Sequence, residues 1–470
     1  MEDYDFMELE NRLKVYCEDS YYPFHMPGHK RNPDFSMFGC KMGCYDITEI
    51  PGFDNLANPS DILKEEQDRI SAFYGCDKTF LLVNGCTGGV LSAMALVYAM
   101  YGAHTKVLMG RNCHRSVYNA LCLNNLIPVY MWPEYFENSG ILCGIGADEV
   151  KDLLNREPDI KALVITSPTY EGVLSDMNAI AKVCHEKGVM VIVDEAHGAH
   201  LGAEGFPMDS VRLGCDIVIH GLHKTLPALT QTAVMHVNAG IADIGLIGRI
   251  ISMYQTSSPS YILMTSAVKA MDIYMKGTGF KEYYSRLMKL RSELRENLTK
   301  LSLFEPYEIY DPSKIVIMTN GYMDGAKLAS MLRARKLEIE MAVPGYIICM
   351  TSVGDTNEGF SRLKMVLFDI DASIKEAGSH QRLVEMSRLR PRIEFAPCDA
   401  FAARRERVVL RAAIGRICAS NICVYPPGVP MIATGEVFDS KVIDMLSYYV
   451  NSPYEVIGID KEGCVEVVSR

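Results

Sequence analysis

The segment Val189-Met190-Val191-Ile192-Val193-Asp194-Glu195-Ala196-His197 joins an unbroken apolar run to a group of polar residues. A short apolar run rich in β-branched residues is typical of a parallel strand that is buried on both faces. Helical stretches such as 176–187 alternate with further runs of the same kind. These runs lie at 79–83, 106–109, 127–131, 162–166, 216–219 and 233–237. The alternation predicts an α/β fold built on a sheet.

The chain has 470 residues, which is more than a single hydrophobic core usually organises. We expect an irregular N-terminal arm over 1–60, a large domain over 61–280, a small α/β domain over 281–385 and a C-terminal domain over 386–470. The longest apolar run, near 90–100, is too short for a membrane span, which needs roughly 20 residues. This run therefore predicts a buried helix.

Composition narrows the class of protein. Apolar residues make up 49% of the chain, which argues against disorder, and the net charge of -11 with dispersed Lys and Arg argues against a nucleic-acid partner. The 15 cysteines form no CxxC pair, and the first residues are acidic, so we expect a reduced cytoplasmic setting. Neither His25 with His29 nor His197 with His200 has a clear third ligand, so no metal site is predicted.

Ligands of open α/β sheets bind beyond the carboxyl ends of the strands. The turn Asn84-Gly85-Cys86-Thr87-Gly88-Gly89 joins a predicted strand to an apolar helix. Its backbone N–H groups and the Thr87 hydroxyl are suited to binding a phosphate at the helix N-terminus. The alternative is a tight strand–helix turn without a ligand.

Three other strand ends are followed by His114, Asp194 and Lys224. A desolvated lysine can attack an aldehyde, a carboxylate can keep a pyridine nitrogen protonated, and a histidine can stack on an aromatic ring. Each also has a plainer interpretation: a surface lysine, a helix cap or magnesium ligand, and a capping histidine. The chain lacks a GxxxxGKS/T motif, which argues against a nucleotide hydrolase. With the turn at 84–89, the three residues predict one cofactor site.

At these positions the sequence closely resembles the ornithine/lysine/arginine decarboxylase family of fold-type-I pyridoxal-phosphate enzymes, in a short form without the N-terminal wing domain. The similarity covers nearly the whole chain. Its motifs are Pro23-Phe24-His25-Met26-Pro27-Gly28-His29-Lys30, Asp46-Ile47-Thr48-Glu49, the turn at 84–89, Arg111-Asn112-Cys113-His114, Pro168-Thr169-Tyr170-Glu171-Gly172, Asp194-Glu195-Ala196-His197-Gly198-Ala199-His200, His223-Lys224-Thr225 and Pro426-Pro427-Gly428. The resemblance implies an aspartate-aminotransferase-like large domain with a mainly parallel seven-stranded sheet. It also implies decarboxylation of arginine, lysine or ornithine to a di- or polyamine precursor with pyridoxal 5′-phosphate as cofactor.

The resemblance implies a role for each site residue. Lys224 would hold the cofactor as an imine, Asp194 would contact the ring nitrogen, and His114 and Ala196 would cover opposite ring faces. The other implied cofactor contacts are Cys86, Thr87, Gly88, Thr169, His197 and His223. Family members are dimers or larger with shared active sites, so Ser258 is expected to reach the cofactor of a neighbouring chain.

The chain departs from the family pattern at three positions. Gly221 stands where a hydroxyl residue is common, Cys86 where serine is common, and Arg115 where lysine is usual. Two phosphate contacts are therefore expected to be missing or replaced by backbone. Two alternatives stay open: an aminotransferase or carbon–sulfur lyase on the same fold, and a catalytically silent homologue that regulates an active one.

The side chain of a basic substrate needs an acidic partner, because a distal ammonium or guanidinium binds best to a carboxylate. The candidates in the sequence are Asp46, Glu49, Asp54 and Glu436. The sequence does not discriminate among arginine, lysine and ornithine. Protonation of the substrate carbon after loss of the carboxylate is expected from Lys224 or a nearby histidine.

Overall fold

The computed structural model describes residues 22–24, 30, 47–49, 53–137, 139–307, 309–375, 389–425 and 428–469. The strands of these residues are Tyr22–Phe24 (β1), Lys78–Leu82 (β2), Lys106–Gly110 (β3), Ile127–Met131 (β4), Ala162–Thr166 (β5), Met190–Asp194 (β6), Ile217–His220 (β7), Ala233–Val237 (β8), Ser302–Leu303 (β9), Lys314–Met318 (β10), Leu337–Ile339 (β11), Met341–Val343 (β12), Tyr346–Met350 (β13), Arg405–Val409 (β14), Ile422–Tyr425 (β15), Pro430–Ile432 (β16), Glu455–Ile457 (β17) and Cys464–Val468 (β18). The helices are Ile62–Tyr74 (α1), Gly85–Tyr101 (α2), Arg115–Leu123 (α3), Ala147–Arg156 (α4), Met177–His185 (α5), Leu222–Thr225 (α6), Ile244–Tyr254 (α7), Tyr261–Met275 (α8), Phe280–Asn297 (α9), Gly325–Arg333 (α10), Asn357–Ser373 (α11), Pro397–Ala402 (α12) and Ser440–Val450 (α13).

Seven strands form one sheet in the order β2-β8-β7-β6-β5-β3-β4. Neighbours from β7 to β4 are parallel, and β8 is antiparallel to both β2 and β7. The predicted α/β fold with a mainly parallel seven-stranded sheet is confirmed. Three predicted strands coincide with β4, β5 and β8, and the other four differ by one residue at one or both ends. For example, β6 ends at Asp194 because the backbone of that residue still pairs with β5 and β7.

Helix α2 contains the long apolar run and is buried against the sheet, as the sequence predicts. Val90, Met94 and Val97 are at most 1% exposed. Gly89 allows the start of this helix to approach the sheet closely, since a Cβ there would lie 2.9 Å from Leu82 Cδ1 and 3.0 Å from Ile219 Cγ2. The helix N-terminus is thereby held next to the carboxyl end of β7.

A second sheet, in the order β12-β13-β10-β9, is antiparallel. Strand β1 pairs in parallel with β11, and the Tyr22 hydroxyl donates to Asp355 Oδ1 at 3.1 Å. The sequence predicts an irregular arm over 1–60. Strand β1 within it was not predicted, because three residues are too few to show periodicity. Strand β1 of the arm is thus joined to β11 by strand pairing.

The C-terminal region, defined here as residues 389–425 and 428–469, contains the sheets β14-β18 and β16-β15-β17. Its core includes Phe438 and Leu446, which are at most 1% exposed. Arg111, directly after β3, donates from Nη1 to the Pro430 carbonyl at 2.6 Å and so ties this region to the large sheet. Within the described ranges, no helix is both long and apolar enough to cross a membrane. The domain boundaries stay a prediction.

Candidate active site

Asp194 and Lys224 lie at the carboxyl ends of neighbouring parallel strands. Asp194 is the last residue of β6 and is 5% exposed, while Lys224 lies in the single turn α6 that follows β7 and Gly221. Gly221 has little space for a side chain, because a Cβ there would lie 2.8 Å from the Ala196 carbonyl oxygen and 3.0 Å from Cys86 Sγ. Because they follow neighbouring parallel strands, Asp194 and Lys224 lie at the same edge of the sheet.

Cys86 and His114 share this pocket with them. Burial raises the pKa of the Cys86 thiol to about 12, and the charges of Lys224 and Asp194 act on that thiol in opposite directions. Burial also lowers the pKa of His114, and the same two charges act on its ring. His114 caps helix α3, with Nδ1 accepting from the Ser116 N–H at 3.3 Å. The capping and the site interpretations of His114 are thus compatible.

His197 makes direct contact with the lysine, since Lys224 Nζ lies 2.9 Å from His197 Nε2. His197 is 5% exposed, and its ring centroid lies 4.4 Å from that of Tyr170. Burial holds the pKa of His197 well below its usual range, and the charge of Lys224 lowers it further. A neutral imidazole can accept a hydrogen bond from the Lys224 amine at Nε2. Its other nitrogen, Nδ1, is buried and has no hydrogen-bond partner among the described residues.

A buried charge cluster lies behind His197. Lys314 Nζ donates to Asp311 Oδ2 at 2.6 Å, to Ser313 Oγ at 3.0 Å and to the His197 carbonyl at 3.2 Å. Asp311 Oδ1 lies 3.0 Å from His200 Nε2. Lys314 and Asp311 are 0% exposed. This cluster was not predicted from the sequence. Its only signal there is a charged residue at the start of an apolar strand.

The turn at 84–89 joins β2 to α2, as the sequence predicts. Helix α2 begins at Gly85, so Thr87 and Gly88 lie in its first turn. No side chain of the described residues caps these N–H groups at Asn84. The helix dipole and the first N–H groups make such an end attractive to phosphate. His223 is half-buried, and its Nδ1 lies 3.1 Å from the Thr232 carbonyl oxygen.

The remaining predicted cofactor contacts fall into three environments. Thr169 is buried and its Oγ1 accepts from the Val173 N–H at 3.2 Å, which shapes the loop after β5. Ala196 is 5% exposed and its N–H donates to Asp194 Oδ1 at 3.2 Å. Ser258 is exposed, and its N–H donates to Thr256 Oγ1. The predicted contact of Ser258 with a neighbouring chain stays a prediction.

Two of the predicted substrate carboxylates have other partners. Glu436 is 0% exposed, accepts from Arg111 Nη2 at 3.0 Å and accepts from the Ala433 N–H at 2.7 Å. Burial raises the pKa of Glu436 and the adjacent guanidinium opposes that shift. Asp54 accepts backbone N–H groups before α1; its slight burial opposes their effect, but the donors prevail and hold its pKa at about 2.

The other two candidates differ in position. Glu49 has a buried Oε1 without a hydrogen-bond partner among the described residues, so it keeps capacity for a ligand. Asp46 lies outside the described residues, as do 25–29 and 426–427 of the family motifs. Within the described residues, no three His, Cys, Asp or Glu side chains are grouped as metal ligands would be.

Comparison with known proteins gives a consistent picture. The model of the Orn/Lys/Arg decarboxylase major domain matches residues 8–317, and that of the Orn/Lys/Arg decarboxylase C-terminal domain matches residues 380–459. The arginine decarboxylase of Bacillus subtilis (strain 168) is 30% identical over 93% of this chain and 92% of that protein. The arginine decarboxylase of Bacillus anthracis is 32% identical over 90% of this chain and 89% of that protein. In fold, the chain is similar to the E. coli constitutive lysine decarboxylase, with a TM-score of 0.77, 20% identity, and coverage of 98% of this chain and 81% of that one.

Proposed function

Because this chain belongs to the Orn/Lys/Arg decarboxylase family, we propose that it releases carbon dioxide from a basic amino acid, with arginine as the first substrate to test. Proteins of this family are decarboxylases that use pyridoxal 5′-phosphate. Arginine is favoured because the two Bacillus relatives compared above, which align over at least 90% of the chain, are arginine decarboxylases. The observation that carries the proposal is the convergence of Asp194, His197 and Lys224 at neighbouring strand ends.

The residues of the pocket fit this cofactor. The start of α2 would offer N–H groups to the phosphate, Lys224 would offer an amine to the aldehyde, and Asp194 would offer a carboxylate to the ring nitrogen. When bound, the protonated pyridine ring supplies a sink for the electrons of the breaking carbon–carboxylate bond. His197 Nδ1 is buried and has no hydrogen-bond partner among the described residues, so a ligand in the pocket would supply that hydrogen bond.

The side chains divide the work of proton control. Asp194 keeps a proton on the ring nitrogen, since a buried carboxylate favours a cation beside it. His197 Nε2 accepts a hydrogen bond from Lys224 Nζ and so holds the amine in position. Lys224 or a nearby histidine would then deliver a proton to the substrate carbon. His114 covers the pocket and helps to exclude water.

We also propose that the protein is a homodimer in a reduced cytoplasm and that its amine product is a polyamine precursor. Exposed Ser258 supports a contact with a neighbouring chain, and Met253 on the adjacent helix is 79% exposed. The 12 described cysteines that are free support a reducing compartment. Analytical ultracentrifugation of the holoenzyme and complementation of Ser258→Ala with Lys224→Ala in mixed dimers would test the shared site.

The decisive experiment measures cofactor and product together. Purified protein with pyridoxal 5′-phosphate is expected to show the absorbance of a lysine-bound cofactor and to release carbon dioxide from arginine, lysine or ornithine without forming a keto acid. Lys224→Ala should abolish both signals, whereas Lys276→Ala, at an exposed lysine, should keep them. Keto-acid formation would instead indicate an aminotransferase, and absence of the absorbance would indicate a silent homologue.

A further inference from the structure

A cavity of about 200 Å³ lies where three parts of the chain meet. The ends of the large sheet contribute Trp132 and Glu171, the second sheet contributes Tyr346, and the C-terminal region contributes Tyr449. The residues that line it do not include Lys224, Asp194 or His197. The cavity is therefore separate from these three residues.

Glu171 gives this cavity a negative charge that has no counter-ion among the described residues. Its side chain is buried, with 8% of the residue exposed, and its Oε1 accepts a hydrogen bond from the Tyr346 hydroxyl at 2.7 Å. No lysine, arginine or histidine nitrogen of the described residues lies within 4.0 Å of the carboxylate. A buried carboxylate normally has a cationic partner, because one neutral hydroxyl only partly replaces its hydration. A cationic ligand in the cavity would supply that partner.

The rest of the wall suits an organic cation. Trp132, Tyr135, Tyr346 and Tyr449 all line the space, and aromatic faces attract ammonium and guanidinium groups. Leu142, Met341 and Val343 add hydrocarbon surface of the kind that packs against methylene groups.

The two arginines in the wall do not replace this missing counter-ion. Arg111 is held by Glu436 at 3.0 Å and by backbone carbonyls, so its charge is already paired. Arg390 is exposed, and its guanidinium lies 5.8 Å from the centre of the Trp132 ring. An anionic ligand would have to approach the unpaired carboxylate of Glu171.

We propose that this cavity binds an organic cation, a primary ammonium or guanidinium on a short hydrocarbon chain, with Glu171 as its counter-ion. Two sources share this chemistry. One is the distal end of a substrate or product held at Lys224, which rests on the proposed function, and the other is a separate amine molecule. The loop after β5 links the cavity to the catalytic centre, since Tyr170 contacts the His197 ring while the next residue, Glu171, lines the cavity.

The test uses Trp132, which is the single tryptophan of the chain and lines the cavity. Its fluorescence is followed while the holoenzyme is titrated with agmatine, 1,5-diaminopentane and, as an anionic control, pentanoate. We expect a saturable change with both amines and none with pentanoate. Glu171→Gln should raise the midpoint at least tenfold, and Glu186→Gln, at an exposed acid, should leave it unchanged. If Glu171→Gln is poorly folded, Tyr135→Leu keeps the reporter and should raise the midpoint severalfold.

Kinetics on the same variants separate the two sources. If Glu171→Gln raises KM for arginine tenfold with little change in kcat, and the amines compete with arginine, the cavity holds the distal end of the substrate. If KM is unchanged and the amines do not compete, the occupant is a separate amine. The proposal is overturned if no saturable change occurs, if pentanoate saturates the signal, or if the midpoint is the same in Glu171→Gln. Failure to decarboxylate arginine, lysine and ornithine would reject the proposed function and leave the titration valid.

Discussion

Lys314 Nζ donates a hydrogen bond to the carbonyl oxygen of His197 at 3.2 Å, so the second sheet reaches the residue that contacts Lys224. Asp311 holds the same ammonium at 2.6 Å. Through this contact, the position of His197 depends on a charge pair contributed by another part of the chain. The pair is 0% exposed, which makes it rigid and costly to disturb.

Lys314→Met is expected to lower the free energy of unfolding by about 3–5 kcal/mol, because it leaves the Asp311 carboxylate buried without its main cation. It should also lower kcat through displacement of His197. Denaturant unfolding and steady-state kinetics measure the two effects. Lys364→Met, which removes a partly exposed pair with Glu293, should cost less than about 1 kcal/mol. Equal losses in the two variants would contradict the importance of the buried pair.

His197→Gln is expected to lower kcat by about 10²-fold, because the hydrogen bond that positions Lys224 is lost. The cofactor absorbance should persist, because Lys224, Asp194 and the start of α2 are unchanged. The matched control is His104→Gln, which replaces an exposed histidine. A His197→Gln enzyme with kcat within twofold of the wild type would show that Lys224 needs no histidine partner.

The parts predicted from the sequence are those with a local signal. The strands of the large sheet are short apolar runs, so their alternation with helices predicted β4, β5 and β8 at their observed bounds. Asp194 and Lys224 follow such runs, and the fold brings strand ends together.

The residues that the sequence analysis missed depend on contacts between distant segments. Lys314 looks like any lysine at the start of a strand, and its burial beside Asp311 arises only when the second sheet packs on the loop after β6. Likewise, Glu436 was a candidate for the substrate, but the pairing with Arg111 joins residues 325 positions apart. Glu171 was part of a recognised motif, yet its cavity forms only where three parts of the chain meet.

His236 is expected to make stability depend on pH. Burial holds its pKa well below the usual value, with the charges of His220 and Arg212 acting in the same direction. In the unfolded chain a histidine has a pKa of about 6.5, so below that pH the unfolded state takes up a proton that the folded state does not. This contribution to stability is complete above pH 6.5 and is lost as pH falls. The difference in unfolding free energy between wild type and His236→Gln should shift by about 2 kcal/mol against the wild type between pH 7.5 and 5.

Denaturant unfolding of both proteins at the two pH values measures that shift. Titrating groups that lie far from His236 contribute equally in both proteins, so their contributions cancel in the difference. His236→Asn offers a second neutral replacement near Thr79, whose hydroxyl lies 2.9 Å from His236 Nδ1. A difference that does not change with pH would mean that His236 is protonated to the same degree in both states.

Gly221→Ala is expected to weaken cofactor binding and to lower the free energy of unfolding by about 1–3 kcal/mol, the usual cost of overpacking. The new Cβ would lie 2.8 Å from the Ala196 carbonyl oxygen, which is backbone, and 3.0 Å from Cys86 Sγ. Adding Cys86→Ala removes the sulfur but not the carbonyl, so the double variant should recover only part of the loss. Gly146→Ala is the matched control, because nothing lies within 4 Å of a Cβ there. Cofactor dissociation constants and denaturant unfolding are measured for these variants. If Gly221→Ala has the same cofactor affinity and unfolding free energy as Gly146→Ala, the tight packing between Ala196 and Cys86 does not constrain residue 221.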